Sequence, residues 1–266
     1  MNTKIFILGA GKPHHGEKHS ALDVIPDDSQ ALDWTKQVLA HLNLENNFVA
    51  GYQASEIQAA YPELNYHNNS DWETTKSGWS FLISMPSGNC DCLVLYSDVL
   101  HRTHNIDHIL DCDADVAVAI DTNWRNRFTD RSLSDQARCE KVCTKDALVT
   151  LLGSNINIEI ANAEFTGLAW FSSKSLEILK EIYNESSPDL NYLHNSSISD
   201  LVELLRKQGL NIKAVDVNGD WAELNESADI ARFALGTKAQ TLKRLRPMVS
   251  KSRIEDQFSF TVEEWN

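Results

Sequence analysis

Short continuous apolar runs alternate along this chain with stretches whose apolar residues fall at helical spacing. That order predicts the strands and covering helices of a βαβ sheet. Residues 4–8 read as a first strand that runs into Gly9-Ala10-Gly11. Residues 31–42 read as a helix, 47–50 as a short strand closed by Gly51, 54–60 as a helix and 65–67 as a third strand. Residues 92–96 form an uninterrupted apolar run ending at Ser97-Asp98, with a helix through 106–110 behind it. The β-branched run 116–120 repeats the device and ends at Asp121.

After Trp124 the pattern loosens into a polar stretch over 125–134. It recovers as an apolar run at 167–171, helices at 175–183 and 199–208, and a late strand at 212–217. The following Gly219-Asp220-Trp221-Ala222-Glu223-Leu224-Asn225 sets two carboxylates and an amide near a strand end. The expected fold is α/β: a Rossmann-like, mixed and mostly parallel sheet flanked by helices. Open sheets of this kind take ligands beyond the carboxyl ends of their strands, so Gly11, Asp98 and Asp121 are expected at one crevice.

The 266 residues, 42% of them hydrophobic, suffice for a sizeable core. Asp and Glu outnumber Lys and Arg by 38 to 24, for a net charge of -14. This argues against a nucleic-acid partner, because binding a phosphate backbone takes a clustered basic excess. The apolar run at 5–8 is too short for a signal peptide or a membrane span, so a soluble, cytoplasmic protein without a membrane partner is expected. Cys90, Cys92, Cys112, Cys139 and Cys143 lack paired zinc spacing and read as reduced thiols. A glycine turn after strand one suits any phosphate-binding fold, since it lets backbone N–H groups approach the ligand. The P-loop pattern and the third glycine of the dinucleotide fingerprint are both missing.

More specific is a series of segments in one order. Phe6-Ile7-Leu8-Gly9-Ala10-Gly11 opens it, followed by Glu17-Lys18-His19-Ser20-Ala21-Leu22, Leu32-Asp33-Trp34, Val49-Ala50-Gly51-Tyr52 and Asn68 to Thr75. Then come Leu95-Tyr96-Ser97-Asp98-Val99, Asp121-Thr122-Asn123-Trp124, Glu140-Lys141-Val142, Ala163 to Leu168 and Trp221 to Asn225. Over roughly residues 3 to 235 this order resembles the sugar-phosphate and phosphocholine-type nucleotidyltransferases of the nucleotide-diphospho-sugar transferase fold. Each segment is weak alone, and the shared order carries the resemblance.

The resemblance implies transfer of a nucleotidyl group from CTP, UTP or another NTP to a small phosphorylated or phosphonylated metabolite. Both reactants are anions, so such a site relies on Mg²⁺ and on Lys or Arg to neutralise and align them. It implies Lys18 and Asp98 as catalytic groups, with Leu8, Gly9, Ala10, Gly11, Lys12, His14, Asn68, Thr75 and Ser77 around the nucleotide. Asp121, Trp124, Lys141 and Glu164 would bind the acceptor. Asp98, Glu223 and Asn225 would hold the metal, because Mg²⁺ takes oxygen donors. An Asp ahead of a helical run is also a common N-cap, and buried Trp is commonly plain core, so Asp98 and Trp124 each carry a second reading.

Two departures from the family pattern stand out. Asn225 occupies a position where the pattern has an aspartate, and Lys12-Pro13-His14-His15-Gly16 replaces a glycine followed by an arginine. They motivate a rival reading as a nucleotide-binding module without turnover; a sugar-1-phosphate nucleotidyltransferase is a third. The basic segment 236–247 and the strand-like 254–262 resemble the opening of phosphoenolpyruvate-synthase-like ATP-grasp kinases. That resemblance implies a nucleotidyltransferase domain over 1–235 and, from 236 to 266, a linker or the start of a fused kinase domain.

Overall fold

The computed structural model describes residues 3–13, 16–26, 28–128, 136, 139–185, 190–224, 230, 231, 233, 234 and 242. Apart from residue 242, the segment resembling a kinase opening lies outside the described residues.

The strands are β1 (Thr3–Gly9), β2 (Asn46–Ala50), β3 (Asn65–Asn68), β4 (Asp91–Tyr96), β5 (Val99–Leu100) and β6 (Val116–Asp121). They continue as β7 (Lys141–Lys145), β8 (Leu148–Gly153), β9 (Ala163–Phe171), β10 (Ile212–Asp216) and β11 (Ala222–Glu223). The main sheet runs β3-β2-β1-β4-β9-β6-β10-β8-β7, and β11 pairs separately with β5. β1 is parallel to β2 and β4, β2 to β3, and β6 to β10. β9 lies antiparallel between β4 and β6, which makes the sheet mixed.

Alternation along β1 splits the core into two layers, since successive strand side chains point to opposite faces. Ile5 and Ile7 pack beneath α1 (Ala31–Leu39), α2 (Ala54–Ala60) and α4 (Thr103–Leu110), through Leu32, Leu39, Ile57 and Ile106. Phe6 and Leu8 pack on the other side with α3 (Ser77–Ser84), through Trp79 and Phe81. The same layer takes Leu176 and Leu179 of α6 (Ser173–Glu185) and Leu201 and Leu205 of α8 (Ile198–Lys207). Two four-residue helices, α5 (Trp124–Arg127) and α7 (Asn191–His194), and two 3₁₀ turns, Ser20–Leu22 and Ala40–Leu42, lie between these elements. No helix among the described residues is long and apolar enough to cross a membrane.

Candidate active site

β1 and β4 run side by side, with Leu8 in register with Tyr96, so their carboxyl ends open on one edge. The Ser97 N–H donates to the Leu8 carbonyl at 3.0 Å and closes that edge. Gly9 is required there: a Cβ would come within 2.3 Å of the Phe48 ring and 2.9 Å of Ser97 Oγ. Beyond it opens a cleft of about 80 Å³ lined by Leu8, Ala10, Gly11, Trp72, Thr75 and Ser77, with Lys76 and Ser80. Five residues assigned to the nucleotide from the sequence therefore meet in one place.

Two unassigned residues shape this cleft. His19 is buried; its Nδ1 accepts from the Ala21 N–H at 3.1 Å, so Nε2 carries the proton and donates to the Gly9 carbonyl at 2.7 Å. Burial pushes the His19 pKa down, which keeps the ring neutral. Asn69, also buried, accepts from the Asp71 N–H through Oδ1 at 3.0 Å and donates to Thr75 Oγ1 at 2.9 Å and Ser80 Oγ at 3.0 Å. Asn68, expected to touch the base, is instead exposed at the end of β3 and does not line the cleft. The side chain that faces inward at this corner belongs to its neighbour.

Lys12 and Lys18 are both exposed. Lys12 Nζ lies 5.7 Å from the Tyr52 ring centroid, and Lys18 Nζ donates to the Leu22 carbonyl. His14 and Asn225 lie outside the described residues.

Further along the edge stand the acidic groups. The short β5–β11 ladder, with the Leu224 N–H donating to the Asp98 carbonyl at 2.8 Å, brings Glu223 beside Asp98. Burial first, then the charges of Glu223 and Glu140, raise the Asp98 carboxyl to about 6. Glu164 is buried against Arg127 (3.1 Å), and Arg127 also approaches Glu223 (3.8 Å) and lies 3.6 Å over the Trp221 ring. Burial, assisted by Glu223 and Asp121, holds Glu164 up at about 8 despite Arg127 beside it. Lys141, expected at the acceptor phosphate, is buried opposite Glu164 in the β7–β9 ladder, with Nζ donating to the Cys139 carbonyl at 3.0 Å.

Asp121 and Trp124, expected to bind the acceptor, are both buried. Asp121 is 0% exposed, and its two oxygens accept from Trp221 Nε1 at 2.9 Å and the Asn123 N–H at 2.8 Å. Trp124 is 1% exposed, packed on Phe128 and Ala161 with the Arg125 guanidinium 4.5 Å over its ring. The aromatic ring within this charged cluster is Trp221, already present in one of the quoted segments. Arg127 gave no sequence signal, because it falls in a stretch that reads as polar surface.

Among the described residues no group of three or more His, Cys, Asp or Glu side chains is arranged to hold a metal ion. Asp98 and Glu223 are nonetheless a pair of oxygen donors in which the charge of Glu223 opposes the ionisation of Asp98. A hard divalent cation would relieve that repulsion, so the pair fits such an ion as a partial ligand set.

No family model matches the chain. It is 20% identical over 155 residues to the CTP:phosphoglutamine cytidylyltransferase of Campylobacter jejuni, a match covering 56% of this chain and 61% of that relative. The chain thus spans about three fifths of the length of that curated relative. Among solved structures it is similar to the inositol-1-phosphate CTP transferase of T. maritima, with a TM-score of 0.64 at 14% identity over 89% of this chain and 98% of that one. It is likewise similar to the CTP:phosphocholine cytidylyltransferase of Streptococcus pneumoniae, with a TM-score of 0.59 at 12% identity over 87% of this chain and 97% of that one. The chain has the fold of these nucleotidyltransferases, as its motif order led one to expect.

Proposed function

We propose that the chain transfers a cytidylyl group from CTP to a small phosphorylated or phosphonylated acceptor. An acceptor oxygen attacks the α-phosphorus, the bond to the β-phosphate breaks, and pyrophosphate leaves. The observation that carries this reading is the shared strand edge: a glycine-loop cleft stands beside two mutually repelling carboxylates, with the buried cations Lys141 and Arg127 behind them. Asp98 and Glu223 would hold Mg²⁺, whose contribution is to offset charge on the phosphates. The chain's own groups do the rest. The β1 loop holds the nucleotide in place, and Lys141 supplies positive charge where the acceptor phosphate would approach. The names of the relatives, which pair CTP with phosphoglutamine, phosphocholine and inositol 1-phosphate, support this class of reaction.

The test is pyrophosphate release by the purified chain with Mg²⁺, each of the four NTPs, and a panel of phosphoglutamine, phosphocholine, aminoethylphosphonate and hexose 1-phosphates. Release with CTP and one acceptor is expected. CTP binding without release from any pair would favour the rival reading, a nucleotide-binding module, which Asn225 and the altered glycine loop motivate.

A further inference from the structure

The hydroxyl groups of the cleft have their protons assigned. Thr75 Oγ1 donates to the Asp71 carbonyl at 2.9 Å and accepts from Asn69 Nδ2. Ser80 Oγ donates to the Lys76 carbonyl at 3.4 Å and accepts the second Asn69 proton. The orientation of the Asn69 amide follows from its Oδ1, which faces the Asp71 N–H.

Ser77 is controlled from further away. Its Oγ accepts from the Ile198 N–H at 3.2 Å, one of the donors left over at the start of α8. Its other partner is Tyr96 OH at 3.1 Å. Tyr96 OH donates to Glu140 Oε2 at 3.2 Å, and Glu140 Oε1 is taken by the Ser199 hydroxyl. A phenol has one proton, and here it is spent on Glu140, so at the Ser77–Tyr96 contact the serine donates. Gly167 lets the ring approach closely, because its φ of +76° strains other residues and a Cβ there would lie 2.6 Å from Tyr96. Ser77 is left with one free lone pair, and like Thr75 and Ser80 it meets the cleft only as an acceptor.

We infer that Tyr96 and Glu140 are specificity-determining positioning residues, which by fixing the Ser77 proton make the cleft select a base with an amino group where uracil has a carbonyl. The selected pyrimidine is cytosine, whose exocyclic amine donates; uracil would set its carbonyl oxygen against hydroxyl lone pairs. The inference rests on the proposed function only in placing the base in this cleft.

It is tested by calorimetric binding of CTP, UTP, ATP and GTP to the full chain. CTP is expected to bind at least about tenfold more tightly than UTP, the scale of one unmatched polar group. Tyr96→Phe frees the Ser77 proton to turn into the cleft and is expected to bring the CTP:UTP ratio close to one. Ser77→Ala, which leaves the Tyr96–Glu140 contact in place, is expected to lower the same ratio and serves if the Phe variant does not fold. A merely structural role would weaken both nucleotides alike and leave the ratio unchanged. Equal affinity for CTP and UTP in the parent chain, tighter binding of a purine nucleotide, or a ratio unmoved in a folded variant overturns the inference alone. Failure to bind any of the four nucleotides overturns the proposed function with it.

Discussion

The cleft at the end of β1 and the acidic cluster at the ends of β6 and β9 share one sheet edge and solve opposite problems. In the cleft the hydroxyl and amide groups are matched: Asn69, Thr75, Ser77 and Ser80 exchange hydrogen bonds with one another and with nearby backbone and side chains. In the cluster, Asp98, Asp121, Glu164 and Glu223 gather with Arg127 and Lys141, and burial holds Asp98 and Glu164 up at about 6 and about 8. One half of the edge is finished without a ligand. The other gathers buried ionisable groups with raised pKa values, so the cleft is suited to recognition and the cluster to reactivity.

The largest effect is expected where the cluster is held together. In urea unfolding above pH 8, where Glu164 is ionised, Arg127→Ala would strand that carboxylate in the interior and remove the guanidinium from the Trp221 face, at a cost of about 3–5 kcal/mol. Arg127→Met combined with Glu164→Met should recover much of that loss, because it removes both buried charges. A comparable loss in both variants would mean that packing, and not charge pairing, is what Arg127 supplies.

Asp98→Asn separates the two halves functionally. It keeps the shape of the side chain but takes a charge from the Asp98–Glu223 pair. Turnover should fall by on the order of 10²–10³, read as pyrophosphate release, while CTP affinity measured without Mg²⁺ stays near that of the parent. Equal losses in binding and turnover would show that the two regions are not separable.

The smallest effect is a pH dependence of stability without ligands. Glu164 has a folded-state pKa of about 8, above the ordinary 4.5, so the folded chain holds that proton more tightly than the unfolded chain. The cost of ionising it is present above pH 8 and is relieved as pH falls through 8. Unfolding free energy should therefore rise by about 1 kcal/mol from pH 9 to pH 7. Below pH 6.5 that rise is opposed, because burial holds His101 down to about 4 and lowers His19, so the unfolded chain takes up those protons first. Glu164→Gln should flatten the rise between pH 9 and pH 7.

Much of the fold was legible in the apolar periodicity, and its gaps have local causes. The helix at 31–42 is present as Ala31–Leu39 with a 3₁₀ turn over Ala40–Leu42, and the strand at 116–120 as Val116–Asp121. α3 is buried nearly all round, at Gly78, Trp79, Ser80, Phe81, Leu82 and Ser84, so it shows no amphipathic stripe to read. The β7–β8 hairpin turns through Asp146 and Ala147, both at positive φ (52° and 60°). Such turns are ordinarily marked by Asn-Gly or Asp-Gly, and here the marker is missing.

The sequence by itself determined the layers, the order of strands and helices along the chain, and the acidic and glycine residues at strand ends, because periodicity and turn chemistry act over a few neighbouring residues. Only the tertiary structure decided which of the charged and polar groups are buried and whom they meet. Arg127 finds Glu164 across 37 residues and Asp121 finds Trp221 across 100, through a sheet order that inserts β9 between β4 and β6. The proton of Ser77 is fixed by residues up to 121 positions away. Burial, and the hydrogen-bond direction it enforces, depend on which elements are packed together, and no local pattern records that.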